Sequence, residues 1–145
     1  MGERRPQTLE NHARFDPVFH FFLAPLSFIT FVAALWRAIK QPDAVYLWQA
    51  LGALLFLVAV FLIRVYALKV QDRVIRLEET LRLGMLLPES QRARISRLSE
   101  GQLIALRFAS DAELPSLAIR AIDERLAAKD IKKSIRSWRA DYFRI

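Results

Sequence analysis

Two long runs without a formal charge dominate this chain: Pro17 to Trp36, PVFHFFLAPLSFITFVAALW, and Tyr46 to Ile63, YLWQALGALLFLVAVFLI. At about 1.5 Å of rise per residue, a helix over either run covers roughly 27–30 Å, close to the thickness of a bilayer's hydrocarbon core. Both runs are apolar all the way round, so neither has the polar face that a surface helix of a soluble domain turns to water. With 145 residues of which 54% are hydrophobic, the chain is too short to bury two such helices in one core and too apolar for an ordinary soluble domain. The reading is an all-α protein built on a pair of transmembrane helices, with the lipid bilayer as its first partner.

The connection from Arg37 to Val45 holds Lys40, Gln41, Pro42 and Asp43. It is too short to allow anything but an antiparallel return, so residues 17–65 read as a helical hairpin with spans at 17–36 and 46–63. Positive charge orients it. The leader, residues 1–16, carries Arg4, Arg5 and Arg14; the connection has only Arg37 and Lys40; the stretch after the second run has Arg64, Lys69, Arg73 and Arg76. Cationic flanks stay on the cytoplasmic side, which puts both termini there, and Trp36, Tyr46 and Trp48 then form the outer aromatic belt. The length of the first run and the acids Glu3, Glu10 and Asp16 before it favour a retained helix over a cleaved signal.

Asp16-Pro17 reads as a helix start, the carboxylate capping free N–H groups and proline needing no donor at the first turn. Pro25 is expected to kink the first span or to lean on the neighbouring helix for satisfaction. Folding the hairpin about Gln41 brings Asp16 and His20 level with Arg64, so these three form an expected inner-interface group in which the opposite charges support one another. His20 reads either as an interfacial histidine or as a proton-handling group. Small residues permit close helix approach. Ser27, Thr30 and Ala34 on the first helix, with Gly52 and Ala59 on the second, are the expected contact positions, within the hairpin or between copies.

Beyond Arg64 no Gly or Pro occurs until Gly84, so the second helix is expected to continue as a juxtamembrane helix over 66–87, ending at Leu86-Leu87-Pro88. Val70, Val74, Leu77 and Leu81 recur at 4-3-4 spacing, the seam of a short coiled coil, with Glu78–Arg82 and Asp72–Arg76 as expected ion pairs along the helix. About two heptads are too few for an independent coiled coil. Packing on the chain's own C-terminal part and pairing with a second copy are both open.

Residues 88–145 read as a small basic all-α cytoplasmic domain. Pro88-Glu89-Ser90-Gln91, Ser99-x-x-Gln102 and Ser110-x-x-Glu113 are helix openings, the last two as capping boxes. Leu103, Ile104, Leu106 and Phe108 form one expected apolar patch, and Leu114, Leu117, Ile119, Ile122 and Leu126 another. A last helix near Asp123 to Arg139 places Ile131, Ile135 and Trp138 on one face with Lys129, Lys132, Lys133 and Arg136 around them. Lys129, Lys132, Lys133, Arg136 and Trp138 are therefore candidate contacts to anionic lipid headgroups, at about 1 kcal/mol per cation near the surface. The competing reading is a helix docked on its own domain.

Reactive chemistry finds little purchase. The chain has no cysteine and only two histidines, so thiol nucleophiles, thiolate metal sites and iron–sulfur clusters are excluded. There is no Gly-rich phosphate loop, no GxSxG and no HExxH. No catalytic residue, metal ligand or cofactor is assigned, and an enzyme is not expected. The formal charge of +7 suits an anionic partner. Nucleic acid is disfavoured, because Asp123, Glu124, Asp130 and Asp141 interrupt the basic residues and no helix-turn-helix stands out.

Four polar strings carry a resemblance: Asn11-His12-Ala13-Arg14-Phe15 before the first run, Gln71-Asp72-Arg73-Val74-Ile75-Arg76-Leu77-Glu78-Glu79 after the second, Gln102 to Asp111 (QLIALRFASD), and Ile135 to Tyr142 (IRSWRADY). In these the chain resembles an uncharacterised bacterial family of small two-span membrane proteins, a domain of unknown function. The resemblance implies a bacterial inner-membrane setting and implies that function resides in the polar strings; it brings no activity, cofactor or catalytic residue. The expected function is a non-enzymatic membrane protein presenting a basic helical module for protein interaction or self-assembly, as a homo-oligomer or with a membrane-protein partner. Binding of that module to the anionic leaflet, and service as an accessory subunit of a transporter or membrane enzyme, are the alternatives.

Overall fold

The computed structural model describes Thr8, Leu9 and residues 16–140. The leader's Arg4, Arg5, His12 and Arg14, the string at 11–15, and Asp141 and Tyr142 lie outside the described residues. The protein is all-α, with no strand among the described residues. Its elements are α1 (Val18–Lys40), α2 (Ala44–Leu86), α3 (Glu89–Arg92) with a 3₁₀ continuation (Ala93–Arg97), α4 (Glu100–Leu106), α5 (Leu114–Asp123) and α6 (Ala128–Ser134). The chain divides into two compact units, residues 15–69 and residues from 70 onward, with α2 contributing to both.

The first unit is an antiparallel pair of helices. Asp16 Oδ1 accepts from the backbone N–H groups of Val18 (3.0 Å) and Phe19 (3.2 Å), so the carboxylate serves two donors that the helix leaves free. Asp43 does the same for α2 by accepting from Val45 N–H at 2.8 Å. At Pro25 the finding is a change of helix type: Val18–Leu23 is π-helical, and the Ala24 N–H bonds to Phe19 O, five residues back. Pro25 has no N–H to give and its ring crowds the preceding turn; widening that turn relieves both problems.

The two helices meet in part through the small residues expected: Ser27 and Ala34 lie on the covered side of α1, whereas the other three expected positions do not. From Ala24 onward the buried or half-buried positions of α1 are Ala24, Ser27, Phe31, Ala34 and Ala38, and those of α2 as far as Ala67 are Tyr46, Ala50, Ala53, Leu57, Val60, Arg64 and Ala67. Both sets follow 3-4 spacing, the knobs-into-holes pattern of a left-handed pair. Thr30, Gly52 and Ala59 face outward instead. Runs that are apolar on every side contain no polar face to reveal which stripe is inside, so the sequence leaves this choice to side-chain fit. Ser27, 2% exposed, is satisfied by donating its hydroxyl to Ala24 O at 3.0 Å.

The second unit has a conventional hydrophobic core. Leu83 and Leu87 from the end of α2 pack with Leu98, Leu103, Leu106 and Phe108, with Leu114 and Leu117 of α5, and with Ile131 and Ile135. The two apolar patches expected separately are thus one core, with Ile119, Ile122 and Leu126 packed at its margin. Ser99 and Gln102 form the full capping box at the start of α4. The box expected at Ser110 and Glu113 does not form; Glu113 instead accepts from the backbone N–H groups of Arg136 and Ser137, both at 3.1 Å. The helix expected over 123–139 is also corrected. After α5 the chain turns at Arg125, α6 spans seven residues, and Ile135 is already extended. The segment beyond runs antiparallel to 108–110, held by Ser110 N–H to Ser137 O (3.0 Å) and Arg139 N–H to Phe108 O (2.7 Å).

Arg125 has φ 50°, the left-handed region, and the Leu126 N–H returns to Ala121 O at 3.1 Å, closing the end of α5 in a Schellman arrangement. A side chain in that conformation costs about 1 kcal/mol that glycine does not incur. Arg125→Gly is therefore expected to raise stability by about 1 kcal/mol in thermal or denaturant melts of the detergent-solubilised chain; a loss of stability would contradict this account of the turn.

Candidate functional site

The end of the hairpin at which α1 begins gathers Asp16, His20 and Arg64, the three residues singled out in the sequence. Arg64 Nη1 lies 3.7 Å from Asp16 Oδ2, with 13% and 31% of the two side chains exposed. The Arg64 guanidinium also sits 5.4 Å from the centre of the Phe19 ring, and Phe19 meets Phe61 edge-on at 5.8 Å. His20 Nδ1 is 2.8 Å from the Asp16 carbonyl oxygen. A carbonyl only accepts, so Nδ1 carries the proton in this contact. One acid therefore caps α1, pairs with α2 and orients the histidine through its backbone. At the opposite end Arg37 donates to Tyr46 Oη (3.3 Å) and stacks on its ring, while Lys40 lies over Trp36. Trp36 and Trp48 are 62% and 72% exposed there.

In the second unit the seam residues point away from the core. Val70, Val74, Leu77 and Leu81 are 60%, 48%, 61% and 60% exposed, and Met85 extends the row. The seam therefore does not pack on the chain's own C-terminal part. The opposite face of α2 does that work: Ile75, Glu79, Arg82, Leu83 and Leu87 are all buried.

Glu79 and Arg82 centre a polar cluster that the sequence reading missed. Arg82 Nη1 donates to Glu79 Oε2 (3.0 Å), Nε to Asp111 Oδ1 (2.7 Å) and Nη2 to Ala109 O (2.7 Å), and Arg139 Nη1 approaches Glu79 Oε1 at 3.4 Å. One guanidinium thereby ties α2 to the turn after α4. The expected Glu78–Arg82 pair is replaced by Glu79–Arg82, and Asp72 and Arg76 form no ion pair among the described residues. The available signal was the 4-3-4 series Ile75, Glu79, Arg82, Leu86, which shares a face that adjacent Glu78 does not. Burial pushes the Glu79 carboxyl above its usual range, opposed by Arg82 and Arg139.

The basic residues of α6 are distributed unequally. Lys129, Lys133 and Arg136 are exposed, whereas Lys132 lies over the Phe108 ring at 5.6 Å and Trp138 packs on the same ring at 5.1 Å. Ile131 and Ile135 are consumed by the core, so this helix has no free apolar face to insert into lipid. A nearby surface groove of about 260 Å³ is lined by Glu113, Ser116, Leu117, Arg120, Ser134 and Arg136. Several of its polar groups are engaged: Arg120 donates to Ser134 Oγ, and Glu113 holds the two backbone N–H groups already described. Among the described residues no group of three or more His, Asp or Glu side chains is placed to hold a metal ion.

A family model matches residues 3–145, nearly the whole chain. The protein belongs to DUF6526, a family of unknown function. Neither the curated proteins nor the solved structures give a match. The DUF6526 chain thus carries its polar strings on a fold in which the 71–79 string divides between two faces of α2, Ile75 and Glu79 inward and Val74 and Leu77 outward.

A carboxyl whose folded pKa is raised contributes stability that is full below the unfolded value and is lost as pH rises through the folded one. Glu79→Gln removes that titration, so the stability of wild type minus that of the variant should shrink as pH rises from about 4 to about 7. Unfolding monitored across that range checks it; a difference that grows with pH would refute the burial argument.

Proposed function

We propose that this DUF6526 protein is a non-enzymatic integral membrane protein, and that its hairpin anchors a basic helical module used for interaction or self-assembly on the cytoplasmic side. The observation that supports the reading most is the exposure of its apolar surface. Both α1 and α2 are long and apolar enough to cross a membrane, and only 6% and 0% of their most apolar windows are buried within the protein. Phe21, Trp48 and Ile63 are at least 70% exposed. At about 25 cal/mol per Å² such surface is too costly to leave in water, and acyl chains are the solvent that removes the cost. Tyr46 and Tyr66, twenty residues apart and each beside a cation, are separated by about 30 Å along α2, which matches two interfaces.

The interaction role is supported by how the second unit uses its charges. Glu79, Arg82, Asp111, Glu113 and Arg139 are spent on closing the fold, while the outer row of α2 is apolar and uncovered. Attraction of the module to the anionic leaflet is a second reading, favoured by the exposed Lys129, Lys133 and Arg136. With Ile131 and Ile135 buried, it would rest on charge alone and weaken with salt.

Carbonate extraction and end-fused reporters test the main reading together. The chain is expected in the extracted membrane pellet, with reporters at both ends active only in the cytoplasm. Recovery in the aqueous fraction would end the membrane reading, and a periplasmic C-terminal reporter would reverse the topology.

A further inference from the structure

We propose that the outer row of α2, Val70, Val74, Leu77, Leu81 and Met85, is the interface between two copies of this chain running parallel. The inference rests on the membrane reading above, because two copies inserted the same way in one bilayer leave it with the same chain direction.

The row is uncovered by its own chain, with each of the five residues between 48% and 75% exposed, although the same helix buries its opposite face. Spacing of 4-3-4 places Val70 and Leu77 at d and Val74 and Leu81 at a, the alternation that interlocks two helices. Charge chooses the occupant and its direction. In this register Arg73 is at g and Glu78 at e, about 70° to either side of the row. Both are exposed, and neither enters an ion pair among the described residues. A parallel copy places Arg73 of each chain opposite Glu78 of the other, the g-to-e′ relation five residues on, and the two-fold symmetry makes the pair twice. An antiparallel copy sets g against g′ and e against e′, where Arg73 and Glu78 do not meet. The shortness of the row is offset by confinement in a membrane, which raises the effective concentration of the second copy without any added contact.

Because the chain has no cysteine, each single substitution introduces the only thiol. Full-length Val74→Cys, Leu77→Cys, Leu81→Cys and Arg76→Cys are oxidised in native membranes and the product masses read. In a parallel pair each row position meets its own counterpart, so all three row variants should give a species of twice the chain mass, while Arg76→Cys, about 130° round the helix, should not. Adding Arg73→Glu to Leu77→Cys should lower the crosslinked fraction by about five-fold, the size expected of two exposed ion pairs, and Glu78→Arg in the same chain should restore it. Equal crosslinking at Arg76, crosslinking at one row position alone, a product of another mass, or no product overturns the proposal. The membrane pellet of the same samples separates the causes: chain retained there without row-specific product refutes the pairing alone, whereas chain in the aqueous fraction refutes the membrane reading and the parallel order with it.

Discussion

Backbone N–H and C=O groups that enter hydrocarbon have no water to satisfy them, and in the membrane setting proposed above this requirement governs the first unit of the protein. A helix meets it internally except at its ends and at proline. The ends are served by Asp16 and Asp43, each lending a carboxylate to free N–H groups. Proline is accommodated by the π-helical turns at Val18–Leu23. Ser27, buried between the helices, returns its hydroxyl to its own helix. Once polar groups are accounted for in this way, the charge-free runs of α1 and α2 are free to be apolar on all sides, the property on which the membrane proposal rests.

The second unit is organised by different physics. Its coherence comes from an apolar core crossed by one buried guanidinium. Arg82 is stable there because three acceptors surround it, and Glu79 tolerates burial because two arginines face it. Such a cluster is costly to break and gives little net stability over apolar packing, but it demands a single arrangement of α2, the 109–111 turn and the extended segment that carries Arg139. By taking one face of α2 inward it also leaves the other apolar face outward.

Much of the architecture was legible from residues alone. Charge-free runs announce their length, and proline, aspartate and serine announce helix ends, so the hairpin, the cap at Asp16 and the box at Ser99 and Gln102 were all readable. Faces were harder. In α1 and α2 every side is apolar, and the choice of Ala50 and Ala53 over Gly52 and Ala59 depends on fit across the pair. In the polar part, Glu78 and Glu79 are neighbours; the 4-3-4 series through Ile75 and Leu86 favours Glu79, and the burial of Ile75 and Leu83 shows that this is the face turned to the core. The terminal helix was overestimated because its apolar spacing continues through Ile135 and Trp138, although the chain there is extended and held by Phe108 and Glu113. The basic residues of that segment were legible as charge, not as a surface.

In the proposed arrangement α2 crosses a bilayer over the stretch from Tyr46 to Tyr66. Spin labels placed singly along that stretch in reconstituted vesicles, with accessibility to oxygen compared against a polar nickel reagent, measure depth directly. The account predicts that oxygen preference climbs from both ends to one maximum near Leu54 to Leu57. A flat profile, or nickel access along one whole side of the helix, would contradict it.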